Sequence, residues 1–364
     1  MFLTCQPRGI TGMPESQRFM KEQVKSRDLL LQDEQIQEEL RKQHMNVFAQ
    51  CYTLDGKHVA TGNNFGIVAI YNMTAALSSG ANENSWKPAF KFKVFDGAVY
   101  TMVSTETFLI CAGWGDIKAY KWTDVLSKDP KVVWILRVPH LDNLGGNETN
   151  AMVLNSKDQT LFSGGGDGVV YCWDLESGSV KTSFTGHKDY IQALSLFHNS
   201  DQLASAAEDG SVRIWDTRTP GEAVAMMEPY KNEECSKSSN ERWLGCVQVS
   251  PSDDWLVCGG GPSLALWHLR SLSPTTIFDA PKCHPYAAHF YEDTVISAGS
   301  TPHVYHWNLS GSLKTQVPCS SNTVYNIAIH LDNRDNKVMC ASGSSHKTDI
   351  YTNFGYRAFS LDFS

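Results

Sequence analysis

The sequence predicts an all-β protein, a seven-bladed β-propeller carrying an N-terminal α-helical extension. Three observations support this. From Val47 to the C-terminus the apolar residues alternate as in half-buried strands. An aromatic residue ends seven successive apolar runs, and glycine marks the turn ahead of each run. The intervals between repeats run from about 36 to 53 residues, near the roughly 40–45 of a propeller blade.

Residues 1–45 form a separate N-terminal extension and residues 46–364 the propeller. From Ser26 the pattern is helical, with Leu29, Leu30, Ile36 and Leu40 among charged and amide side chains and no glycine or proline before Gly56. This predicts an amphipathic helix of roughly four turns, either packed or solvated, or held for a partner.

The first strands of the blades are predicted to open near Val47, Ala98, Asn150, Tyr190, Trp243, Tyr286 and Thr323. The closing runs are Ile67 to Tyr71, Ile117 to Trp122, Val169 to Trp173, Val212 to Trp215, Leu264 to Trp267, Val304 to Trp307 and Asp349 to Tyr351. Glycines ahead of these runs supply the positive φ of tight hairpins. Gly164-Gly165-Gly166-Asp167-Gly168 resembles a phosphate cradle, but a strand rather than a helix follows it, so it reads as a hairpin. The run from Tyr356 to Leu361 completes blade seven as its outer strand. With no strand evident before Val47, ring closure is expected to rest on side-chain packing between blades one and seven.

Blade four is the clearest repeat: Gly186-His187, a Ser205-bearing strand, an Asp209-Gly210 turn and a final Trp215-Asp216. These are the marks of a WD40 repeat. A buried indole N–H needs a partner. Ser205 is placed to accept from Trp215, with His187 bridging to Ser205 and Asp209 fixing the imidazole, so the four form a structural tetrad. A hydrolase reading of Ser, His and Asp fails because a nucleophilic serine needs an exposed strained turn, and Ser205 lies mid-strand. The Trp-Asp pair recurs only at Trp173-Asp174, so the other repeats are degenerate.

A net charge of −8 and a pI near 5.8 argue against a nucleic-acid footprint. No apolar stretch approaches the roughly 18 residues of a membrane span, and Met1 to Arg8 lacks a signal-peptide core. The 10 cysteines are scattered without a Cys-x-x-Cys pair and read as reduced core residues. His140, His187, His284, His289, His303 and His306 are too dispersed for a metal site. No catalytic, metal or cofactor residues are predicted.

Function then falls to loops. Those at Pro139 to Thr149 and Pro229 to Glu241 emerge on one face, beside Trp114 and the Gly259-Gly260-Gly261-Pro262 turn. Candidate partner contacts are Trp114, Tyr230, Lys231, Glu233, Glu234 and Arg242. A third long loop, Met73 to Pro88, exits on the opposite face and reads as a flexible linker.

Several strings carry a more specific likeness: Tyr230-Lys231-x-Glu233-Glu234-Cys235-Ser236, Arg242-Trp243-Leu244-Gly245-Cys246, Val257-Cys258-Gly259-Gly260-Gly261-Pro262, Leu266-Trp267-His268-Leu269-Arg270-Ser271, Pro274-Thr275-Thr276-Ile277-Phe278 and Gly355-Tyr356-Arg357-Ala358-Phe359-Ser360-Leu361. Together they resemble the THO complex subunit 6 family, WD40 propellers of the nuclear complex that packages new messenger RNA for export. The likeness extends over roughly residues 45–364. It implies a non-enzymatic scaffold subunit without a cofactor, located in the nucleus and in nuclear speckles. It further implies docking on the coiled-coil THO subunits 5 and 7, a hetero-oligomer that multimerises, and contact with RNA only through the assembly. A rival resemblance is Trp215-Asp216-Thr217-Arg218, similar to the Trp-Asp-x-Arg box of substrate receptors in cullin-based ubiquitin ligases.

Overall fold

Strands of alternating burial pair locally into meanders, and seven such meanders stand around a central channel. The computed structural model describes residues 35–139, 147–237, 241–280, 282–330 and 337–363. The chain divides into two compact units, Met1–His44 and Met45–Ser364. In the first, residues 35–43 are helical, with Ile36 and Leu40 exposed. The earlier part of the expected helix, with Leu29 and Leu30, lies outside the described residues.

In the second unit each blade is a four-stranded antiparallel sheet of consecutive strands. The inner strands are Val47–Tyr52, Val99–Ser104, Thr149–Asn155, Ile191–Leu196, Leu244–Val249, Pro285–Tyr291 and Val324–His330. They begin within one residue of the openings predicted from sequence. Second strands are the most buried, because a neighbouring blade covers each of their faces. The core is accordingly divided into seven apolar clusters among the described residues, each shared by two adjacent blades.

The ring closes as expected, with every described strand of blade seven drawn from the C-terminal region. Val47, Val59 and Tyr71 of blade one share a cluster with Val338, Cys340 and Leu361 of blade seven. Gln50 Nε2 donates across this seam to the carbonyls of Asn326 at 3.0 Å and Cys340 at 2.9 Å. Tyr71 donates to the carbonyl of Asp362 at 3.2 Å.

Three expectations need correction. The aromatic at the common depth of blade two is Tyr120, which pairs with Leu109 as Trp215 pairs with Leu203. Trp122 instead opens the short helix Trp122–Leu126, and its indole donates to Ser104 Oγ at 3.1 Å. Second, Met73 to Pro88 is not a flexible linker. It holds a helical turn at Met73–Ala76, capped by Asn72, and a 3-10 turn at Glu83–Trp86, capped by Asn82. Met73 and Ala76 are buried in the seam cluster, and Trp86 stacks on Phe359 with centroids 5.5 Å apart. Apolar anchors too sparse to show a period therefore tie this loop down.

Third, positive φ explains only some of the glycines, such as Gly210 at φ +85°. Gly113, Gly165, Gly260, Gly299 and Gly343 answer a different need. Each inner strand carries a β-bulge just after its first residue. In these five blades the facing residue on the second strand comes against the backbone, so a Cβ on Gly113 would lie 1.9 Å from the Ala98 carbonyl oxygen, and one on Gly299 1.9 Å from that of His284, whereas Asn63 and Ala207 take this place in blades one and four.

Candidate partner-binding face

Blade four brings its four predicted polar residues together. Trp215 Nε1–H donates to Ser205 Oγ at 2.8 Å, and His187 Nε2 lies 2.7 Å from the same oxygen. His187 Nδ1 stands 3.0 Å from Asp209 Oδ2, while Ser211 Oγ donates to Asp209 Oδ1 at 2.7 Å. Burial works to raise the Asp209 pKa. Hydrogen bonds from His187 and Ser211 and the charge attraction of His187 outweigh that effect and hold the carboxyl well below its usual range. Ser205 is fully buried, so no substrate reaches its hydroxyl. The arrangement locks the loop before the blade to its third strand.

Other blades keep fragments of this chain. Trp173 donates to Ser163 at 2.8 Å and Trp307 to Ser297 at 2.9 Å. In blade five Cys258 takes the serine position, and the buried Trp267 Nε1 has no partner. Burial pushes the thiols of Cys246 and Cys340 up to about 12, which leaves them as protonated core groups at neutral pH. Nine cysteines among the described residues are free thiols. Among the described residues no three His, Cys, Asp or Glu side chains converge to hold a metal ion, and no helix is long and apolar enough to cross a membrane.

The predicted partner contacts fall into two groups. Trp114 is 44% exposed, and its backbone bridges to Glu148, tying the blade-two turn to the connection ahead of blade three. Gly115 N–H adds a bond to the Asn147 carbonyl at 3.0 Å. Residues 140–146, the middle of that connection and the site of His140, lie outside the described residues.

The second group is organised by the connection from blade four to blade five. Its 3-10 turn Pro229–Lys231 places Tyr230 over Gly210, where a Cβ would lie 2.8 Å from Tyr230 Cδ1 and 3.0 Å from Arg242 Cβ. Lys231 is exposed, with Nζ 2.6 Å from Glu228 Oε2. Glu233, Glu234 and Arg242 are also exposed, and no ion pair involves them among the described residues. Fully buried Cys235 anchors this connection in the blade-four and blade-five core. The exposed charges are therefore displayed from a fixed base. Tyr230 and Arg242 are brought together, whereas no contact joins them to Trp114 among the described residues.

Arg218, the last residue of the Trp-Asp-x-Arg string, is exposed and pairs locally. Its Nε and Nη2 both bond Asp216, at 3.0 and 2.7 Å, within the same string.

Sequence reasoning missed an arc of aromatic rings at the channel mouth, formed by Phe48, Tyr100, Trp243, Tyr286 and Tyr325. The available signal was an aromatic recurring at the start of successive inner strands.

Comparison with known proteins adds identity to this geometry. The WD domain, G-beta repeat family matches residues 141–174 and 178–216, in blades three and four. THO complex subunit 6 of Homo sapiens is 45% identical over 328 residues, covering 89% of this chain and 94% of that protein. The THO complex subunit 6 homolog of Danio rerio is 42% identical over 320 residues, covering 88% and 98%. The Drosophila melanogaster THO complex subunit 6 is 31% identical over 326 residues, covering 88% and 90%. Identity sustained at that level across nearly the whole of each relative, on a seven-bladed propeller, places this chain in the THO complex subunit 6 family of WD40 proteins.

Proposed function

We propose that this protein is a non-catalytic scaffold subunit of a nuclear THO/TREX complex, supporting assembly and thereby the coupling of transcription and processing to messenger RNA export. The observation that carries the reading is the near-complete coverage of THO complex subunit 6 relatives. Its partners are the coiled-coil THO subunits 5 and 7, within an assembly that multimerises and resides in nuclear speckles. The docking surface is the face bearing Trp114, Tyr230, Lys231, Glu233, Glu234 and Arg242. A half-exposed tryptophan and charges displayed from a rigid base are the features of an interface anchor with a polar rim. A net charge of −8 favours indirect over direct contact with RNA.

The test is a pull-down with the coiled-coil subunits, comparing wild type with the paired change Trp114→Ala, Lys231→Glu, with Tm checked for each. Binding should be lost with Tm kept. Retained binding moves the interface to the rim, the opposite face or the N-terminal unit. No binding by wild type removes the scaffold reading.

A further inference from the structure

The seven inner-strand bulges do more than twist the blades. Each lifts the second residue of its strand toward the central channel, on the face that carries the inter-blade connections. In four blades that residue is aromatic: Phe48, Tyr100, Tyr286 and Tyr325. In blade five it is Gly245, and Trp243 fills the space, since a Cβ on Gly245 would lie 3.1 Å from Trp243 Cζ3. The rings form a continuous arc. Phe48 lies 5.6 Å from Tyr100 and 5.0 Å from Tyr325, Tyr325 lies 5.7 Å from Tyr286, and Tyr286 stacks on Trp243 at 5.4 Å. All five are only half-buried, and none of the three tyrosine hydroxyls has a protein hydrogen-bond partner among the described residues.

The remaining part of the mouth carries two glutamates beside exposed Tyr190, with Arg242, toward blade five, its single cation among the described residues. Glu148 and Glu208 line it on the side of blades three and four, where the bulge positions hold Asn150 and Gln192. Gln192 Nε2 donates to Glu208 Oε1 at 2.7 Å. Neither carboxylate forms an ion pair among the described residues, and Arg242, at the blade-five edge, pairs with neither. Burial and the neighbouring charge of Glu208 both make ionisation of Glu148 harder, so a cation entering here would relieve a cost already present. The channel behind the mouth has a volume of about 2320 Å³, ample for a long side chain.

We propose that this channel mouth binds an arginine or lysine side chain presented by an extended segment of a protein partner. The aromatic arc offers ring faces to the cation and apolar surface to its methylenes, and Glu148 and Glu208 supply the opposing charge. Stacking rings alone would also suit unpaired bases, but the two carboxylates repel a phosphate backbone.

The test uses the full chain and two unstructured Gly/Ser nonapeptides, one with a central Leu-Arg pair and one with Leu-Glu. Fluorescence anisotropy should show saturable binding of the arginine peptide only. Tyr286→Ala, and separately the conservative pair Glu148→Gln, Glu208→Gln, should weaken it at least ten-fold with Tm retained. Glu222→Gln, on the opposite face, should leave it unchanged. Equal binding of the two peptides, no saturable binding, insensitivity to the mouth variants, or binding of an oligouridine at the mouth in place of the peptide would each overturn the proposal. Because it is measured on the chain alone, the result stands apart from the pull-down above.

Discussion

At the scale of single residues, the polar chain of blade four and its broken copy in blade five make opposite predictions. Trp215→Ala removes a fully buried ring and should destabilise by about 3–5 kcal/mol. Ser205→Ala keeps the ring but leaves the indole N–H and His187 Nε2 without a partner, a loss of about 1–3 kcal/mol by chemical denaturation. Asp209 adds an acid limb. Its folded pKa lies below the unfolded value of about 3.9, so the stability it contributes is full above that value and lost as pH falls below it. Asp209→Asn should therefore flatten the decline of Tm in that acid range. In blade five the defect runs the other way. Cys258→Ser returns a hydroxyl to the position facing the unpartnered Trp267 indole and should raise stability by about 0.5–1.5 kcal/mol. A lowered Tm would mean that the hydroxyl does not reach the indole.

Among structural elements, the bulged inner strand and the glycine beside it act as one device. In blades two, three, five, six and seven a carbonyl at the start of the bulged strand presses against the second strand, and only a residue without a Cβ fits there, while blades one and four carry the bulge opposite Asn63 and Ala207. Gly299→Ala should consequently cost several times the roughly 1 kcal/mol of an ordinary strand substitution, measured as a fall in Tm. An alanine accepted without loss would remove close approach as the reason for this glycine. The substituted position lies outside the channel, so the variant also reports how far the mouth depends on the bulge.

Across the whole molecule, the seam between the first and last blades is expected to open first. No covalent link or shared sheet joins them among the described residues. The seam holds through an apolar cluster, hydrogen bonds from Gln50, Tyr71 and Lys91 to blade-seven carbonyls, and the loop whose Trp86 stacks on Phe359. Trp86→Ala removes that stack, at about 1 kcal/mol for the ring pair alone. It should open the seam to limited proteolysis at the C-terminal strand before the other blades are cut. Uniform cleavage around the ring would show that the seam is no weaker than the other blade contacts.

Blade number, blade phase, the tetrad and the C-terminal completion of blade seven were all legible in the sequence. They depend on contacts within a few tens of residues: strand alternation, hairpin turns and one recurring aromatic. Such local patterns leave a direct trace in residue order. Three features were decided only by the tertiary structure. Tyr120 rather than Trp122 occupies the common depth of blade two, because pairing with Leu109 sets the register and both aromatics fit the apolar run equally well. The loop from Met73 to Pro88 is ordered by blade seven, nearly the whole chain away. The aromatic arc exists because bulges in four blades aim aromatic residues at one axis and Trp243 fills the gap beside Gly245 in the fifth. Convergence from five blades is a property of ring closure, and no window of sequence contains it.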